Sequence, residues 1–209
     1  MNANTRRMRV AGPAGLIECA VDEPAAEVRG LAVICHPHPQ FGGTLENKVV
    51  QTLARAFVQL GYRALRFNFR GVGGSEGAWD QGRGEIDDAL AVVAACRVEQ
   101  QALVVSGFSF GGFVASQLAS RLPADQIAER VVLIAPAAQN FEVAPVAPDS
   151  LVVHGELDDV VPLSAVLDWA RPQSLPITVV PGGGHFFHGQ LPLLKQIVLR
   201  SWCRSSVAK

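Results

Sequence analysis

Residues 102–112, ALVVSGFSFGG, decide the fold. Residues 102–107 are a continuous apolar run of strand length, and residues 110–122 have a helical pattern. Between them, residues 107–111 match G-x-S-x-G with Ser109 at the centre. A sharp strand-to-helix turn strains this central residue, and side chains two positions before and after it would collide, so Gly107 and Gly111 are required. The stretch therefore predicts Ser109 as a nucleophile at a helix N-terminus, with a simple N-cap serine as the alternative.

Apolar runs and helical patterns alternate on both sides of this stretch. The predicted strands are 30–35, 62–69, 102–107, 130–135, 151–154 and 176–180, and the predicted helices are 45–60, 85–96, 110–122, 164–170 and 189–202. Continuous apolar strands are buried on both faces, which predicts an α/β fold with a mostly parallel twisted sheet and helices on both faces. Two short apolar stretches around the turn GPAG predict an antiparallel N-terminal hairpin. We expect a single domain over residues 1–209 rather than a (β/α)₈ barrel, which usually needs about 250 residues.

Composition excludes several classes of protein. Eighteen Lys and Arg residues against 19 Asp and Glu give a net charge of −1, which provides no electrostatic attraction to nucleic acid or to an anionic membrane. No apolar stretch approaches the length of a membrane span, and the first residues lack the apolar core of a secretory signal. The four scattered cysteines predict reduced thiols rather than a disulfide or zinc framework. We therefore expect a cytoplasmic protein that binds neither nucleic acid nor membranes.

A serine nucleophile needs a base that is oriented by an acid. In an open parallel sheet, ligands bind beyond the carboxyl ends of the strands, and in this topology the order is Ser, then Asp or Glu, then His. His185, in the glycine-rich loop after the last strand, is the predicted base, with His188 as the alternative. Asp158, in the loop after the preceding strand, is the predicted acid, with Asp159 next.

The negative charge that forms during acyl transfer needs two backbone N–H donors, which together make an oxyanion hole. One is the residue after the nucleophile, Phe110. The other comes from the loop HPHPQ, in which Pro37 and Pro39 have no N–H. His38 is favoured there, and Gln40 and then Phe41 are the alternatives.

Taken together, these motifs resemble those of a known family. The set GFSFGG, HGELDDVVP and GGGHFF is similar to that of the α/β-hydrolase superfamily, and the stretches HPHPQFGGT and RFNFRGVGGSEG resemble those of small bacterial α/β-hydrolases described only as predicted hydrolases or esterases. The resemblance covers nearly the whole chain. It implies a Ser109–His185–Asp158 triad with no metal and no organic cofactor, and it supports Asp158 over Asp159. The HPHP loop departs from the His-Gly sequence of many larger esterases, which leaves the second oxyanion donor open.

Many members of the superfamily insert a helical lid before the strand that carries the acid. Here the corresponding gap, residues 135–150, is 16 residues long and contains three prolines. This length is too short for several helices, so we predict a lidless and open site.

Aromatic residues beside these loops are candidates for substrate binding. Phe41 and Phe186 are the predicted substrate-binding residues, whereas Phe108, inside the turn, is predicted to be core. Arg70 lies near the same edge and could bind an acidic substrate group, although a structural ion pair is the favoured interpretation.

The favoured function is a serine hydrolase that cleaves small carboxylic esters through an acyl-enzyme, in a chain that we expect to be monomeric. A thioesterase or a peptidase would use the same residues. A metal-dependent hydrolase that uses His36, His38, His154, Asp158 and His185 is a less favoured alternative, because prolines follow two of these histidines. A non-catalytic binding protein on this fold is the remaining alternative.

Overall fold

The computed structural model describes residues 5–203. The strands are β1 (Arg6–Gly12), β2 (Gly15–Asp22), β3 (Gly30–Cys35), β4 (Tyr62–Phe67), β5 (Ala102–Phe108), β6 (Arg130–Ile134), β7 (Leu151–Gly155) and β8 (Ile177–Val180). The α-helices are α1 (Lys48–Gln59), α2 (Arg83–Cys96), α3 (Phe110–Arg121), α4 (Leu163–Ala170) and α5 (Leu191–Cys203).

The eight strands form one sheet in the order β1-β2-β4-β3-β5-β6-β7-β8. The pairs β1–β2 and β2–β4 are antiparallel, and the other neighbours are parallel. The predicted hairpin is confirmed, with Gly12 opposite Gly15 at its turn. Because β3 to β8 run parallel, the loops that follow β3, β5, β7 and β8 meet at one edge of the sheet.

Two apolar layers cover the sheet. Alternate residues of the fully buried β3 point into different layers. Leu31 and Val33 belong to the apolar cluster that includes residues of α2, α3 and α4, and Ala32 and Ile34 belong to the one that includes residues of α1 and α5. This arrangement confirms the predicted helices on both faces. It also explains why the central strands are continuously apolar, since both of their faces are removed from water.

Three predicted helix starts are wrong by two or three residues, and one of them, that of α2, lies at Arg83 rather than at residue 85. Helix α1 begins at Lys48 rather than at residue 45, because the Asn47 carboxamide accepts hydrogen bonds from the N–H groups of Val49 and Val50 and so caps the helix. Helix α5 begins at Leu191 rather than at residue 189, where Gly189 has a φ of 74°, outside the helical region.

The connection from β6 to β7, residues 135–150, contains turns but no helix or strand. This connection therefore forms no lid, as predicted. Within residues 5–203 no helix combines the length and the apolar character that crossing a bilayer would require.

Three cysteines, Cys19, Cys35 and Cys96, are free thiols, and the side chain of Cys203 lies outside the described part of the chain. Burial raises the pKa of Cys19 to about 12, and burial also raises the pKa of Cys35 and of Cys96. These thiols therefore stay protonated near neutral pH and serve as small apolar side chains.

Candidate active site

Ser109 lies at the junction of β5 and α3, in a turn with φ 56° and ψ −120°. A positive φ is unfavourable for a residue with a side chain, so the surrounding contacts must hold it there. The Ser109 N–H donates to the Ile134 carbonyl at the end of β6 (2.9 Å), and the Ala137 N–H donates to the Ser109 carbonyl (3.2 Å). The turn is therefore fixed from both sides, in the conformation that G-x-S-x-G predicts.

The two glycines of this turn are required by close packing. A Cβ atom on Gly107 would overlap the carbonyl oxygen of Gly111. A Cβ on Gly111 would overlap the carbonyl oxygens of Cys35 and His36, at the end of β3. The backbone at the start of α3 consequently lies directly against the loop that begins at His36.

Asp158 and His185 are brought together at the same edge of the sheet. Asp158 follows β7, His185 follows β8, and their side chains are joined by a hydrogen bond of 2.7 Å between His185 Nδ1 and Asp158 Oδ2. Both residues are buried, at 8% and 3% exposure. Because Nδ1 faces the carboxylate, Nε2 is the ring nitrogen left to accept a proton.

The environment of Asp158 keeps its carboxyl group ionised. Burial by itself would raise the pKa of Asp158, but the hydrogen bond from His185 and the N–H groups of Val161 (2.7 Å) and Val160 (3.0 Å) outweigh it, and the pKa is lowered. A carboxylate held in this state can orient His185 and stabilise it when it becomes charged.

The alternatives for base and acid lie elsewhere. Asp159 is exposed, and His188 is exposed and contacts the ring of Phe186 with centroids 5.8 Å apart. The ring of His185 packs at 4.9 Å against Phe108, the neighbour of Ser109 in the chain. No hydrogen bond between Ser109 Oγ and His185 is formed in residues 5–203, which is common for catalytic groups without a bound substrate.

The two predicted donors of the oxyanion hole are backbone N–H groups without a hydrogen-bond partner in residues 5–203. The Phe110 N–H is at the first position of α3, and neither it nor the His38 N–H bonds to another group in the described chain. The Gln40 N–H donates to His38 Nδ1 (3.2 Å), and the Phe41 N–H donates to the His38 carbonyl (3.1 Å). Because Gln40 and Phe41 are already engaged, the loop favours His38 as the second donor.

His36 is a structural residue of this loop. Its Nε2 accepts from the Phe69 N–H (3.0 Å), and its Nδ1–H donates to the Pro37 carbonyl (2.6 Å). Burial lowers the pKa of His36 to about 3, so the ring is neutral. Since both nitrogens are used, His36 is not available as a metal ligand. The described residues also hold no group of three His, Cys, Asp or Glu side chains arranged to bind a metal ion.

His154 is a member of the site that the sequence suggested only as a metal ligand. It is fully buried, and its Nε2 lies 2.9 Å from the Val161 carbonyl and 3.4 Å from Asp158 Oδ2. Both of these oxygens are acceptors, so Nε2 carries the proton, and Nδ1 has no hydrogen-bond partner among residues 5–203. Burial lowers the pKa of His154 despite these acceptors, so the ring is neutral. His154 thus holds the loop that carries Asp158, and its position four residues before the acid was the available signal.

Arg70 forms an ion pair within the protein and is not left free to bind an acidic group of a substrate. Its guanidinium makes two hydrogen bonds to the Asp88 carboxylate, Nε to Oδ2 at 2.9 Å and Nη2 to Oδ1 at 2.7 Å. Asp88 is buried on α2, so this pair attaches the loop after β4 to the helix. The favoured interpretation of Arg70 as a structural ion-pair partner agrees with this geometry.

The two aromatic candidates for substrate binding are both exposed. Phe41 is 85% exposed and contacts the ring of His38 at 4.7 Å. Phe186 is 44% exposed and contacts the rings of His185 at 5.0 Å and Phe108 at 5.9 Å. Phe108 itself is fully buried, as predicted. An exposed ring therefore lies beside the candidate base, and another lies beside the candidate oxyanion loop.

The chain is similar in sequence to known proteins. The family model for serine aminopeptidase S33 matches residues 26–167. An uncharacterised protein of Rickettsia prowazekii is 32% identical over 192 residues, which cover 84% of this chain and 79% of that protein.

Two solved structures extend the comparison. XC6422 from Xanthomonas campestris, an α/β serine hydrolase without a lid, is 36% identical with a TM-score of 0.85, and the match covers 100% of this chain and 98% of that one. Est1E from Butyrivibrio proteoclasticus, solved with ferulic acid bound, has a TM-score of 0.80 at 18% identity over 97% of this chain and 100% of that one. The second similarity concerns the fold alone.

Proposed function

The chain belongs to the α/β-hydrolase superfamily, among its serine hydrolases, and on this premise we propose that it cleaves carboxylic esters through an acyl-enzyme on Ser109. The observation that carries the proposal is the buried 2.7 Å hydrogen bond between His185 and Asp158, at the edge of the sheet where Ser109 occupies its strained turn. A nucleophile, a base and an orienting acid from three separate loops make up the machinery that acyl transfer needs.

In the proposed mechanism, Ser109 Oγ attacks the ester carbonyl while His185 Nε2 takes the hydroxyl proton. Asp158 stabilises the imidazolium ion that forms. The N–H groups of Phe110 and His38 stabilise the negative oxygen of the tetrahedral intermediate, with the N-terminus of α3 adding a favourable dipole. His185 then protonates the leaving alcohol, and water releases the acid from Ser109 by the same steps.

Two further features support a small acyl ester as the substrate. The site has no lid, so a substrate can enter without a large conformational change. Phe41 and Phe186 are exposed on the two sides of the site and can contact apolar parts of the ester. We propose that these two rings bind the acyl and alcohol portions.

The experiment is a set of kcat/KM measurements on p-nitrophenyl esters of graded chain length, acyl-CoA thioesters and aminoacyl anilides. We expect the esters to give the highest values. Ser109→Ala should lower kcat by something on the order of 10⁶, because the acyl-enzyme cannot form.

The matched control is Ser120→Ala, on the exposed side of the same helix, where the hydroxyl bonds only to the Gln117 carbonyl. It should leave kcat unchanged. Turnover of aminoacyl anilides in preference to esters would contradict the ester assignment, and full activity of Ser109→Ala would contradict the mechanism.

A further inference from the structure

Five aromatic rings form a continuous surface beside the candidate nucleophile, which we call the aromatic wall: His38, Phe41, Trp79, Phe110 and Phe141. The ring of His38 lies at its centre, with centroid distances of 4.6 Å to Trp79, 4.7 Å to Phe41, 5.1 Å to Phe110 and 6.1 Å to Phe141. The rings come from the loops after β3, β4 and β6 and from the start of α3. Four separate chain segments thus converge on one surface.

The wall is not simply part of the core. Phe110 is buried and forms its base, but His38, Trp79 and Phe141 are half-buried and Phe41 is 85% exposed. Contiguous apolar surface of this kind, next to a site that must bind a substrate, is typical of a binding surface.

The imidazole of His38 adds a hydrogen-bond donor to the wall. Its Nδ1 accepts from the Gln40 N–H, and burial lowers the pKa of His38, so the ring is neutral with its proton on Nε2. This Nε2–H donates to no other group in residues 5–203. The π face of an aromatic ring can accept a weak hydrogen bond from such an N–H group. An alkyl chain that covered the same N–H group would leave it without a hydrogen bond.

The position of the base decides which part of an ester faces the wall. Phe108 and Phe110 flank Ser109 in the chain, and the ring of Phe108 contacts His185 while the ring of Phe110 contacts His38. The leaving alcohol must lie near His185, which protonates it. With the alcohol beside His185 and the carbonyl oxygen at the N–H groups of Phe110 and His38, the remaining direction for the acyl group lies along the aromatic wall, whose base is the ring of Phe110.

We propose, on the basis of the ester hydrolysis proposed above, that the aromatic wall binds a planar aromatic ring in the acyl group of the substrate. The substrate class is esters of carboxylic acids that carry an aryl group. Ring–ring contacts contribute beyond the area that they bury, so an aryl acid is preferred over a saturated acid of the same size.

The test compares methyl 3-phenylpropanoate with methyl 3-cyclohexylpropanoate by pH-stat, since methanol as the leaving group adds no ring of its own. The wild-type kcat/KM ratio, aryl over saturated, should be about 2 to 12. Two substitutions in the wall, Phe41→Leu and Trp79→Leu, should each bring this ratio toward 1. Phe41 is exposed, so its replacement does not affect folding. Phe186→Leu, on the side of the alcohol, should keep the wild-type ratio.

A ratio near 1 in the wild type, with both esters hydrolysed, would overturn the proposal and leave ester hydrolysis intact. A preference for benzyl acetate over cyclohexylmethyl acetate, without one in the acyl series, would also overturn it. If neither ester is hydrolysed and Ser109 fails to react with a fluorophosphonate, the proposed function fails and this proposal fails with it.

Discussion

At the scale of single residues, two adjacent aspartates show how the fold assigns a role. The side chain of Asp158 receives two backbone N–H groups and the ring of His185, whereas Asp159 points into solvent. Both aspartates follow the same strand, and the sequence favoured Asp158 with Asp159 as the alternative. The resemblance to α/β-hydrolases supported Asp158, and these contacts are consistent with that choice.

This difference leads to a prediction for a pair of variants. Asp158→Asn should lower kcat by roughly 10⁴-fold, because the amide cannot hold His185 in the required tautomer or stabilise its charged form. Asp159→Asn, the matched control at the neighbouring position, should change kcat little. Steady-state kinetics on the best p-nitrophenyl ester provide the measurement, and equal losses in the two variants would refute the role given to Asp158.

The second oxyanion donor and His154 show the limit of sequence reasoning at this scale. The choice of His38 depends on which N–H groups of the loop are already bonded, and those bonds form only when the loop folds around the His38 ring. From the sequence, His154 was considered only as one of a set of possible metal ligands. Its buried contacts with Val161 and Asp158 depend on tertiary packing, which its position four residues before the acid does not reveal by itself.

At the scale of secondary structure, the strands were predictable because burial on both faces makes them continuously apolar. The observed β3 matches its predicted bounds, and the strand before Ser109 differs by one residue. Helix ends were less predictable, since they depend on caps such as the Asn47 side chain rather than on the apolar pattern. The missing lid could be predicted because sixteen residues cannot hold several helices.

At the scale of the whole molecule, four of the five histidines follow or end strands at the carboxyl edge of the sheet, and the fifth, His188, lies three residues beyond His185. The five histidines differ in their burial and in their partners. His36 and His154 are fully buried and neutral, His185 is paired with Asp158, His38 belongs to the aromatic wall, and His188 is exposed. The sequence alone shows that the histidines are concentrated at this edge of the sheet. Only the packing shows which of their rings are free to take up a proton.

The buried histidines predict how stability depends on pH. The pKa of His36 is about 3 in the folded chain and about 6.5 when unfolded, so the unfolded chain binds the extra proton between these values. The free energy of unfolding should therefore fall as the pH falls through this window, by up to about 1.4 kcal/mol per pH unit for this residue. The lowered pKa of His154 acts in the same direction.

Urea unfolding between pH 7 and pH 4 measures this dependence. His36→Gln removes the titrating ring, so its free energy of unfolding should vary less with pH than that of the wild type, whatever its value at pH 7. His188→Gln, an exposed control, should retain the wild-type dependence. The same slope in His36→Gln and the wild type would show that His36 does not carry the effect.

The central claim is that Ser109 is a nucleophile activated by His185. The most direct measurement is reaction of the folded protein with a fluorophosphonate, followed by mass spectrometry of the proteolytic peptides. We expect one phosphonyl group per chain, on Ser109, with labelling abolished in Ser109→Ala and strongly slowed in His185→Ala. Absence of labelling in the wild type, or attachment to a different residue, would contradict the claim.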